Sequence, residues 1–360
     1  MRIVTVIGAR PQFIKAAMVS KKVLGTEGME EIILHTGQHF DERMSSIFFE
    51  ELQIPKPHYN LGINQMNHGA MTGRMIEEIE KVIIKENPDW VLVYGDTNST
   101  LAGAIASKKL HVKLAHVEAG LRSFNMKMPE EINRILTDRV SDLLLCPTEN
   151  SVKNLVNEGF GNFDCKIINV GDVMLDATNF YFNLAENISN IIGRLELSKP
   201  YILCTIHREE NTADKRRFNE IIQSLEILSQ KWSIVCPLHP RTKNILGDIN
   251  KSSEIIFIEP VGYLDMQMLL GHCDFVMTDS GGLQKEAFFH GKKCFTLRDE
   301  TEWTELVDCG ANEVVGAKKE RIIGAVEKMN YSIDQDFSSY NFYGKGDAGK
   351  KIIDVLLEQF

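Results

Sequence analysis

Short apolar runs alternate along the chain with longer segments in which apolar and polar residues recur at helical spacing. In the first half, "RIVTVIG" precedes "KAAMVSKKVLG", and "DWVLVYGD" precedes "TLAGAIASKKL". The short runs are apolar enough to be covered on both faces, which is typical of strands in a parallel sheet flanked by helices. The pattern therefore predicts an α/β fold with a doubly wound parallel sheet.

The same alternation starts again after the strand-like run "KIINV". "YILCTIHRE" precedes "FNEIIQSLEIL", and "FVMTDSGG" precedes "LQKEAFFHG". Two successive α/β halves predict two Rossmann-like domains that face each other across a cleft. We place the N-terminal domain at residues 1–170 and the C-terminal domain at residues 171–344. The tail, residues 345–360, has helical apolar spacing, and we expect it to pack back on the first domain.

Composition narrows the class of protein. The 360 residues carry a formal charge of −10, with 43% hydrophobic and 25% charged residues. This ordinary but acidic composition argues against a nucleic-acid-binding protein, which needs a basic face. No apolar run reaches the ~20 residues of a membrane helix, and the seven cysteines, without a C-x-x-C pair, suggest reduced thiols. We expect a cytoplasmic protein with no nucleic-acid or membrane partner.

The ends of the predicted strands carry the candidate chemistry, because ligands of parallel α/β sheets bind beyond the carboxyl ends of the strands. The turn "GARPQFIK" places Arg10 and Lys15 there. These cations suit an anion at a helix N-terminus, although the Gly-rich phosphate fingerprints are absent. The first turn alone therefore leaves open what supplies the rest of the site.

The motif "TDSGGLQKEA" follows another strand and brings Ser280, Gly281 and Gly282 to the start of a helix. Small residues let backbone N–H groups approach a phosphate, and Glu286 could accept hydrogen bonds from two ribose hydroxyls. The motif alone fits an ordinary helix N-cap followed by a solvated glutamate equally well. Arg10 and the "IHRE" turn at His207 favour a diphosphate site.

Acidic residues lie beside this predicted phosphate site. Asp96 follows the strand in "YGDTNST", Glu118 ends the strand in "HVEAGLRS", and Glu130 and Glu131 begin a helix in "MPEEINR". Each acid alone could be structural, since acids also cap and begin helices. Together they would repel a diphosphate, so we expect them to transfer protons. Scattered histidines without metal-ligand spacing argue against a metal, and we expect no cofactor.

Together, these motifs resemble the non-hydrolysing UDP-N-acetylglucosamine 2-epimerase family. The resemblance rests on "GARPQFIK", "YGDTNSTLAGA", "HVEAGLRS", "PEEINR", "PLHPRT", "TDSGGLQKEA" and "RDETEW", in this order along nearly the whole chain. It implies a glycosyltransferase-B-like fold, a homodimer and a UDP-activated 2-acetamido sugar as substrate. It also implies inversion at C2 by elimination of UDP to a 2-acetamidoglucal and re-addition, for bacterial-type surface polysaccharide.

The resemblance implies three groups of site residues. The residues expected to carry catalysis are Asp96, Glu118, Glu130 and His207. The residues expected to bind the diphosphate and the ribose are Arg10, His207, Lys15, Ser280, Gly281, Gly282 and Glu286. The residues that match an allosteric UDP-N-acetylglucosamine site of some members are Gln38, Arg74 and His239.

Two departures from the common family motifs point to one branch. Gln12 stands where most members have glutamate, and Trp303 stands where they have arginine. Both resemble the branch that epimerises UDP-2,3-diacetamido-2,3-dideoxyglucuronate, whose carboxylate would favour Gln12 over a charged glutamate. Three alternatives stay open: a hydrolysing epimerase that releases UDP and free N-acetylmannosamine, a retaining UDP-sugar glycosyltransferase, and an inactive sugar-nucleotide sensor.

Overall fold

The computed structural model describes residues 1–38, 52–197, 200–238, 242, 255–329, 337 and 339–360, with only the backbone of Arg10. The chain forms two compact units. The first comprises Met1–Asn179 and Asn341–Phe360, and the second comprises Phe180–Tyr340. None of the helices in the described ranges combines the length and apolar content that crossing a bilayer requires.

Among its described residues, the first unit contains a seven-stranded parallel sheet with the order β3-β2-β1-β4-β5-β6-β7. The strands are β1 (Arg2–Ile7), β2 (Glu30–His35), β3 (Tyr59–Asn60), β4 (Trp90–Tyr94), β5 (Lys113–Val117), β6 (Leu143–Cys146) and β7 (Lys166–Asn169). The helices are α1 (Arg10–Leu24), α2 (His68–Glu86), α3 (Asn98–Lys109), α4 (Pro129–Val140), α5 (Glu149–Asn157), α6 (Val173–Ile188) and the C-terminal α14 (Ala348–Glu358). The division between the units falls inside α6.

Strands at the centre of this sheet are buried on both faces. All five residues of β4, "WVLVY", are buried, as are the four residues of β6, "LLLC". On one face, Val4 and Val93 pack in a core with Met75 and Ile79 from α2. Continuous apolar strands of this kind are expected where helices cover both sides of a parallel sheet.

The C-terminal helix α14 packs against α1, which confirms the predicted return of the tail to the first unit. The carboxylate of Asp176 accepts hydrogen bonds from the backbone N–H groups of Ala348 (3.1 Å) and Gly349 (2.8 Å). The first N–H groups of a helix have no partner within the helix. Asp176 therefore supplies that partner and anchors α14.

The second unit contains, among its described residues, a six-stranded parallel sheet with the order β10-β9-β8-β11-β12-β13. The strands are β8 (Tyr201–Thr205), β9 (Ser233–Pro237), β10 (Ile255–Ile258), β11 (Phe275–Thr278), β12 (Lys293–Thr296) and β13 (Asn312–Val314). The helices are α7 (Ile191–Arg194), α8 (Glu209–Thr212), α9 (Lys215–Leu228), α10 (Tyr263–His272), α11 (Gly281–Phe289), α12 (Thr304–Asp308) and α13 (Lys319–Lys328).

Both sheets have a point at which the strand order reverses. It lies between β1 and β4 in the first unit and between β8 and β11 in the second. The loops diverge at such a point and leave a crevice at the carboxyl edge of the strands. Asp96 follows β4, and His207 and Ser280 follow β8 and β11. The predicted α/β class with two Rossmann-like units is confirmed.

Candidate active site

Lys15 and Glu118 form an ion pair near the carboxyl edge of the first sheet. Lys15 lies on α1 and Glu118 follows β5, and their side chains are 11% and 9% exposed. The turn after β4 runs directly past this pair at Gly95. A Cβ atom there would come within 3.2 Å of the Glu118 carboxylate and 3.6 Å of the Lys15 ammonium. Gly95 also has a φ of +62°, a conformation that favours glycine.

The backbone of Glu118 is strained. Its φ is +72°, in the left-handed region, where a residue other than glycine costs on the order of 1–3 kcal/mol. The N–H groups of Glu118 and Ala119 both donate to the carbonyl oxygen of Leu145, at 3.0 and 3.2 Å, and hold this conformation. Such strain clusters at functional sites, so it adds to the case for a role of Glu118 in chemistry.

Asp96 is held by Arg134 from α4. The guanidinium donates to Asp96 and, at 2.8 Å, to Glu131; the Arg134 side chain is 9% exposed and that of Asp96 is 31% exposed. Burial alone would lower the pKa of Arg134, but the carboxylates of Asp96 and Glu131 outweigh it and raise the pKa above its ordinary value. Glu118 contributes to the same rise. Asp96 and Glu118 therefore lie within electrostatic reach of one buried cation.

The adjacent glutamates of α4 have different environments. Glu131 is fully buried and accepts hydrogen bonds from the N–H (3.0 Å) and hydroxyl (2.9 Å) of Ser123 and from the N–H of Phe124 (2.9 Å). It therefore fixes the loop between β5 and α4. Glu130 lies in the first turn of α4 and is exposed. Of the two, Glu130 is the one that a ligand can reach.

A buried charged network lies behind these acids. The Nδ1 atom of His116, on β5, is 2.7 Å from Asp138, and its Nε2 atom is 2.7 Å from the carbonyl oxygen of Gly95. Asp138 also accepts from the N–H of Gly120 (3.1 Å) and the guanidinium of Arg122 (2.7 Å). These partners belong to α4 and to the segments after β4 and β5. The network therefore fixes the three elements that carry the predicted catalytic acids.

Gln12 does not face a ligand. It is 2% exposed, and its side-chain oxygen accepts from the N–H groups of Gly8 (2.8 Å) and Ala9 (3.0 Å). Its amide donates to the carbonyl oxygen of Tyr94 at 2.7 Å and to two hydroxyls that follow β4. The preference of a substrate carboxylate for Gln12 over glutamate would therefore act without a contact to this side chain. The side chain instead ties the turn after β1 to the turn after β4.

In the second unit, Asp279 positions the loop that carries His207. Its fully buried carboxylate accepts from the N–H groups of His207 and Arg208, both at 3.0 Å, and from the amide of Asn211 at 3.1 Å. The Nδ1 atom of His207 lies 3.2 Å from the same carboxylate, and the histidine side chain is 45% exposed. Nδ1 therefore donates to Asp279, and the opposite ring nitrogen, Nε2, points away from it.

Ser280 caps α11, and Gly281 and Gly282 begin it, as the motif predicts. The Ser280 hydroxyl accepts a hydrogen bond from a backbone N–H of the first turn at 3.4 Å. A Cβ atom at Gly281 would overlap a carboxylate oxygen of Glu302, so a larger residue here would displace that side chain. The indole N–H of Trp303 donates to the Gly281 carbonyl oxygen at 2.8 Å. Trp303, which is 5% exposed, therefore braces this helix N-terminus.

Charged side chains surround the start of α11. Glu302 pairs with Arg298 at 2.9 Å, and a Cβ atom at Gly281 would lie 3.6 Å from the guanidinium of Arg208. Burial alone would raise the pKa of Glu302, but Arg298 and Arg208 hold it below its ordinary value. The backbone N–H groups at this helix N-terminus, with Arg298 and Arg208 close by, suit a diphosphate.

Glu286 lies further along α11 and is 7% exposed. The hydroxyl of Tyr263 and the amide of Gln267, both from α10, lie 3.4 Å from its carboxylate oxygens.

Within the described ranges, no three His, Cys, Asp or Glu side chains converge so as to hold a metal ion.

Two of the three residues predicted for an allosteric site have contacts within the described part of the chain. The side-chain oxygen of Gln38 accepts from the N–H (3.0 Å) and hydroxyl (2.7 Å) of Ser99, at the start of α3. Arg74 is exposed and pairs with Glu77 and Glu78 on its own helix. His239 lies outside the described residues, as does the side chain of Arg10.

Three residues that support the site, Arg134, Asp138 and Gln267, are not among the predicted site residues. A signal for the first two exists, because Glu131, Arg134 and Asp138 recur at helical spacing on one face of α4 and are all buried. Charged residues at core spacing indicate a buried ionic network. No comparable signal marks Gln267, whose role depends on a contact between two helices.

Comparison with known proteins identifies the family. Residues 21–357 match the model of the UDP-N-acetylglucosamine 2-epimerase family. The UDP-2,3-diacetamido-2,3-dideoxy-D-glucuronate 2-epimerase of Pseudomonas aeruginosa is 54% identical over 357 residues, 99% of each chain. The UDP-N-acetylglucosamine 2-epimerase of Methanocaldococcus jannaschii is 42% identical over 367 residues, again 99% of each chain.

Solved structures support the same family assignment. The crystal structure of the M. jannaschii UDP-GlcNAc 2-epimerase in complex with UDP-GlcNAc and UDP matches with a TM-score of 0.88 over 99% of this chain and all of that one. The Neisseria meningitidis enzyme bound to UDP-GlcNAc matches with a TM-score of 0.89 at 31% identity, over 99% of this chain and 100% of that chain. The chain therefore belongs to the UDP-N-acetylglucosamine 2-epimerase family and is an epimerase-type isomerase.

Proposed function

We propose that the chain catalyses reversible C2 epimerisation of a UDP-2-acetamido sugar, with UDP-2,3-diacetamido-2,3-dideoxyglucuronate as its substrate. The observation that carries the reaction type is the pair of carboxylates, Asp96 and Glu118, each held beside a buried cation. The P. aeruginosa relative, 54% identical, supports the choice of sugar. Gln12 and Trp303 support it only through the resemblance of their motifs to this branch, because both side chains are buried. The product would serve surface polysaccharide synthesis.

The chemistry requires that UDP leaves. The C2–H bond is not next to a carbonyl group, so direct removal of the proton would give an unstabilised carbanion. Breaking the C1–O bond to UDP leaves positive charge at C1, which acidifies C2–H. A carboxylate then takes the C2 proton, and a C1=C2 double bond forms in the 2-acetamidoglucal, which stays bound together with UDP. In the reverse sense, a proton is delivered to the other face of C2 and UDP re-adds at C1.

Acids in the first unit would exchange the C2 proton. Asp96, Glu118 and the exposed Glu130 are the candidates, whereas Glu131 is fully occupied by the loop that it fixes. The neighbouring cations, Lys15 and Arg134, offset the carboxylate charge, so that a dianionic leaving group is not repelled. A positioned carboxylate contributes about 10²- to 10⁴-fold to a proton-transfer step.

Groups in the second unit would hold the leaving group. The N–H groups and cations at the start of α11 suit the diphosphate, because a helix N-terminus favours negative charge. His207, oriented by Asp279, adds a donor for an oxygen on which charge develops as the C1–O bond breaks. Arg10 completes the diphosphate contacts in this proposal, and Glu286 accepts from the ribose hydroxyls.

The reaction can be tested by proton NMR in D₂O with UDP-N-acetylglucosamine and its 2,3-diacetamido glucuronate counterpart in parallel. We expect deuterium at C2 and accumulation of the manno isomer with the diacetamido uronate. Exchange with UDP-N-acetylglucosamine alone would contradict the proposed substrate. Exchange with neither sugar would contradict the reaction, and steady accumulation of free UDP would indicate the hydrolysing alternative.

We also propose a homodimer formed through α4. Ile132, Leu136 and Val140 recur every four residues along this helix and are 40%, 46% and 36% exposed. An exposed apolar stripe of this kind is typical of an interaction surface. Light scattering should give twice the chain mass of 40.8 kDa. Leu136→Glu should give a monomer, and Ile84→Glu, at an exposed position on α2, should stay dimeric; a wild-type monomer or a dimeric Leu136→Glu would contradict the proposal.

A further inference from the structure

Glu286 is the end of a short chain of polar side chains inside the second unit. Glu286 and His290 are four residues apart along and just after α11, so they lie on one face. Tyr263 and Gln267 are four residues apart on α10 and face them. Gln267 is fully buried, and Tyr263 and Glu286 are 5% and 7% exposed. Polar groups at this depth are expected to satisfy one another.

Polar contacts link His290 to Glu286 through Gln267. The Nε2 atom of His290 lies 2.7 Å from the side-chain oxygen of Gln267, and the amide nitrogen of Gln267 lies 3.4 Å from Glu286. The hydroxyl of Tyr263 reaches the other carboxylate oxygen of Glu286, also at 3.4 Å. The ring of His290 packs edge-on against Phe182 at 4.8 Å between centroids.

The chemistry of these groups fixes the direction of the chain. Burial, with smaller effects of Lys292 and His272, lowers the pKa of His290 to about 4, so the ring is neutral at pH 7. An ionised carboxylate only accepts hydrogen bonds, so Gln267 must turn its NH₂ group towards Glu286. The oxygen of Gln267 then faces His290, which must carry its single proton on Nε2. A flipped Gln267 would set its oxygen against the carboxylate.

We propose that Gln267 and His290 are positioning residues that set the carboxylate of Glu286 for a ribose diol, and so select ribonucleotides over 2′-deoxyribonucleotides. The inference rests on the proposed UDP-sugar site. Donors on both carboxylate oxygens fix the plane of the group, and a carboxylate has capacity to accept from ligand hydroxyls as well. Two adjacent hydroxyls need both oxygens in one defined plane. A carboxylate that rotates would lose this bidentate contact.

The test compares the dissociation constants of UDP and 2′-deoxy-UDP by calorimetry on the full chain. A hydroxyl bound by a buried carboxylate should make wild type prefer UDP by about 10- to 100-fold. Glu286→Gln should lose most of this preference. In Gln267→Leu the logarithm of this preference should fall by at least about half. The dissociation constant of 2′-deoxy-UDP should stay within about twofold of the wild-type value. A variant that combines Glu286→Gln and Gln267→Leu should lose no more of the preference than Glu286→Gln alone, because both residues act through one contact.

Two further variants separate positioning from general damage. His290→Phe keeps the ring contact with Phe182 but removes the N–H, so it should reduce the preference in the same direction as Gln267→Leu. Gln284→Leu is a matched control, because Gln284 is a buried glutamine on α11 that contacts Thr301 and Asn312 instead of Glu286. It should weaken UDP and 2′-deoxy-UDP by the same factor. Since His290→Phe tests the same chain, failure of Gln267→Leu to fold leaves the inference testable.

The outcomes distinguish this inference from the proposed function. A wild-type preference that Gln267→Leu and His290→Phe both leave intact would overturn the positioning role, while the UDP site would stand. An equal loss of affinity for UDP and for 2′-deoxy-UDP in these variants would also overturn the positioning role. A wild-type protein that binds UDP and 2′-deoxy-UDP equally would show that Glu286 does not bind the 2′-hydroxyl, and would overturn the inference. A protein that binds neither would overturn both proposals.

Discussion

The two units hold their candidate functional groups in different ways. In the first unit the candidate acids are paired with buried cations, as Asp96 is with Arg134, and a charged network lies behind them. In the second unit the buried carboxylate of Asp279 accepts hydrogen bonds from backbone N–H groups and from His207. Two neutral side chains support the remaining groups: Trp303 contacts the start of α11, and Gln267 contacts Glu286, the predicted ribose-binding residue.

This difference fits two different tasks. A carboxylate must be ionised to take a proton, and a fixed cation nearby favours that charged form. A diphosphate keeps its charge through binding, so rigid donors at a helix N-terminus are sufficient for it. The comparison implies that neutral variants of the acids in the first unit act on turnover, whereas variants of the groups that shape the helix start and the ribose contact in the second unit act on affinity for UDP.

The largest effect is expected from neutral variants of the acids in the first unit. Glu118→Gln and Asp96→Asn should lower kcat by about 10²- to 10⁴-fold, because a positioned proton-transfer group is lost. The affinity for UDP should stay within about twofold. Proton NMR progress curves and calorimetry measure the two quantities. Glu27→Gln, at an exposed position, is the control, and a large loss of UDP affinity with unchanged kcat would break the comparison.

The second unit should show a pH-dependent stability that traces to His290. Its pKa in the folded state, about 4, lies below the ordinary value of 6.5, so the unfolded chain binds more protons between these values. The contribution of the neutral ring to the free energy of unfolding is therefore fully present above pH 6.5 and is lost as the pH falls towards 4. The loss is at most about 3 kcal/mol.

His290→Phe should remove this part of the acid sensitivity. Urea unfolding at pH 7 and at pH 4 should show a smaller fall in the free energy of unfolding for the variant than for wild type. An equal fall in both proteins would mean that the ring of His290 is not kept neutral by the fold.

Asp279→Asn tests how the second unit holds the loop of His207. An asparagine sets an NH₂ group where the carboxylate accepts from N–H donors, so the loop should lose its geometry. Hydrogen bonds to a charged group are worth about 1.5–3 kcal/mol, which predicts a UDP dissociation constant about 10- to 100-fold higher. Turnover at saturating substrate should change less than in Glu118→Gln. A variant that binds UDP normally but does not turn over would contradict this division of tasks.

Gln12→Glu should have the smallest effect and should be structural. A carboxylate accepts from Gly8 and Ala9 as the amide does, but it cannot donate to the carbonyl oxygen of Tyr94. Leaving that buried contact unsatisfied costs about 1–3 kcal/mol, measurable as a lower midpoint of thermal unfolding. The relative rates with the two UDP-sugars should not change. A switch in substrate preference would show that Gln12 reaches the sugar after all.

Much of the fold follows from local pattern. Runs such as "WVLVY" in β4 are too apolar for any place but a covered sheet, and the return of the C-terminal tail follows from its helical spacing. The placement of Asp96, Glu118 and Ser280 at strand ends or helix starts follows from the same pattern, because parallel strands end at one edge. These features need only the chain near each residue.

The supporting contacts could not be predicted in this way. The partner of Gln12 is a carbonyl oxygen more than eighty residues away, and Gln267 acts only through its contact with the facing helix. The motif alone left the role of Gln12 open, because the departure from glutamate fits a change of substrate and a change of internal hydrogen bonding equally well. Burial decides between them, and burial of a polar side chain is set by tertiary packing.

The most direct test of the account is an isotope experiment on the wild-type enzyme in D₂O. The substrate carries ¹⁸O in the bond between C1 and the diphosphate. If UDP leaves and re-adds, deuterium should enter C2 and the ¹⁸O label should move from the bridging to the non-bridging positions of the phosphate. Deuterium incorporation with the label retained entirely in the bridge would show that the C1–O bond stays intact, and would contradict the proposed elimination.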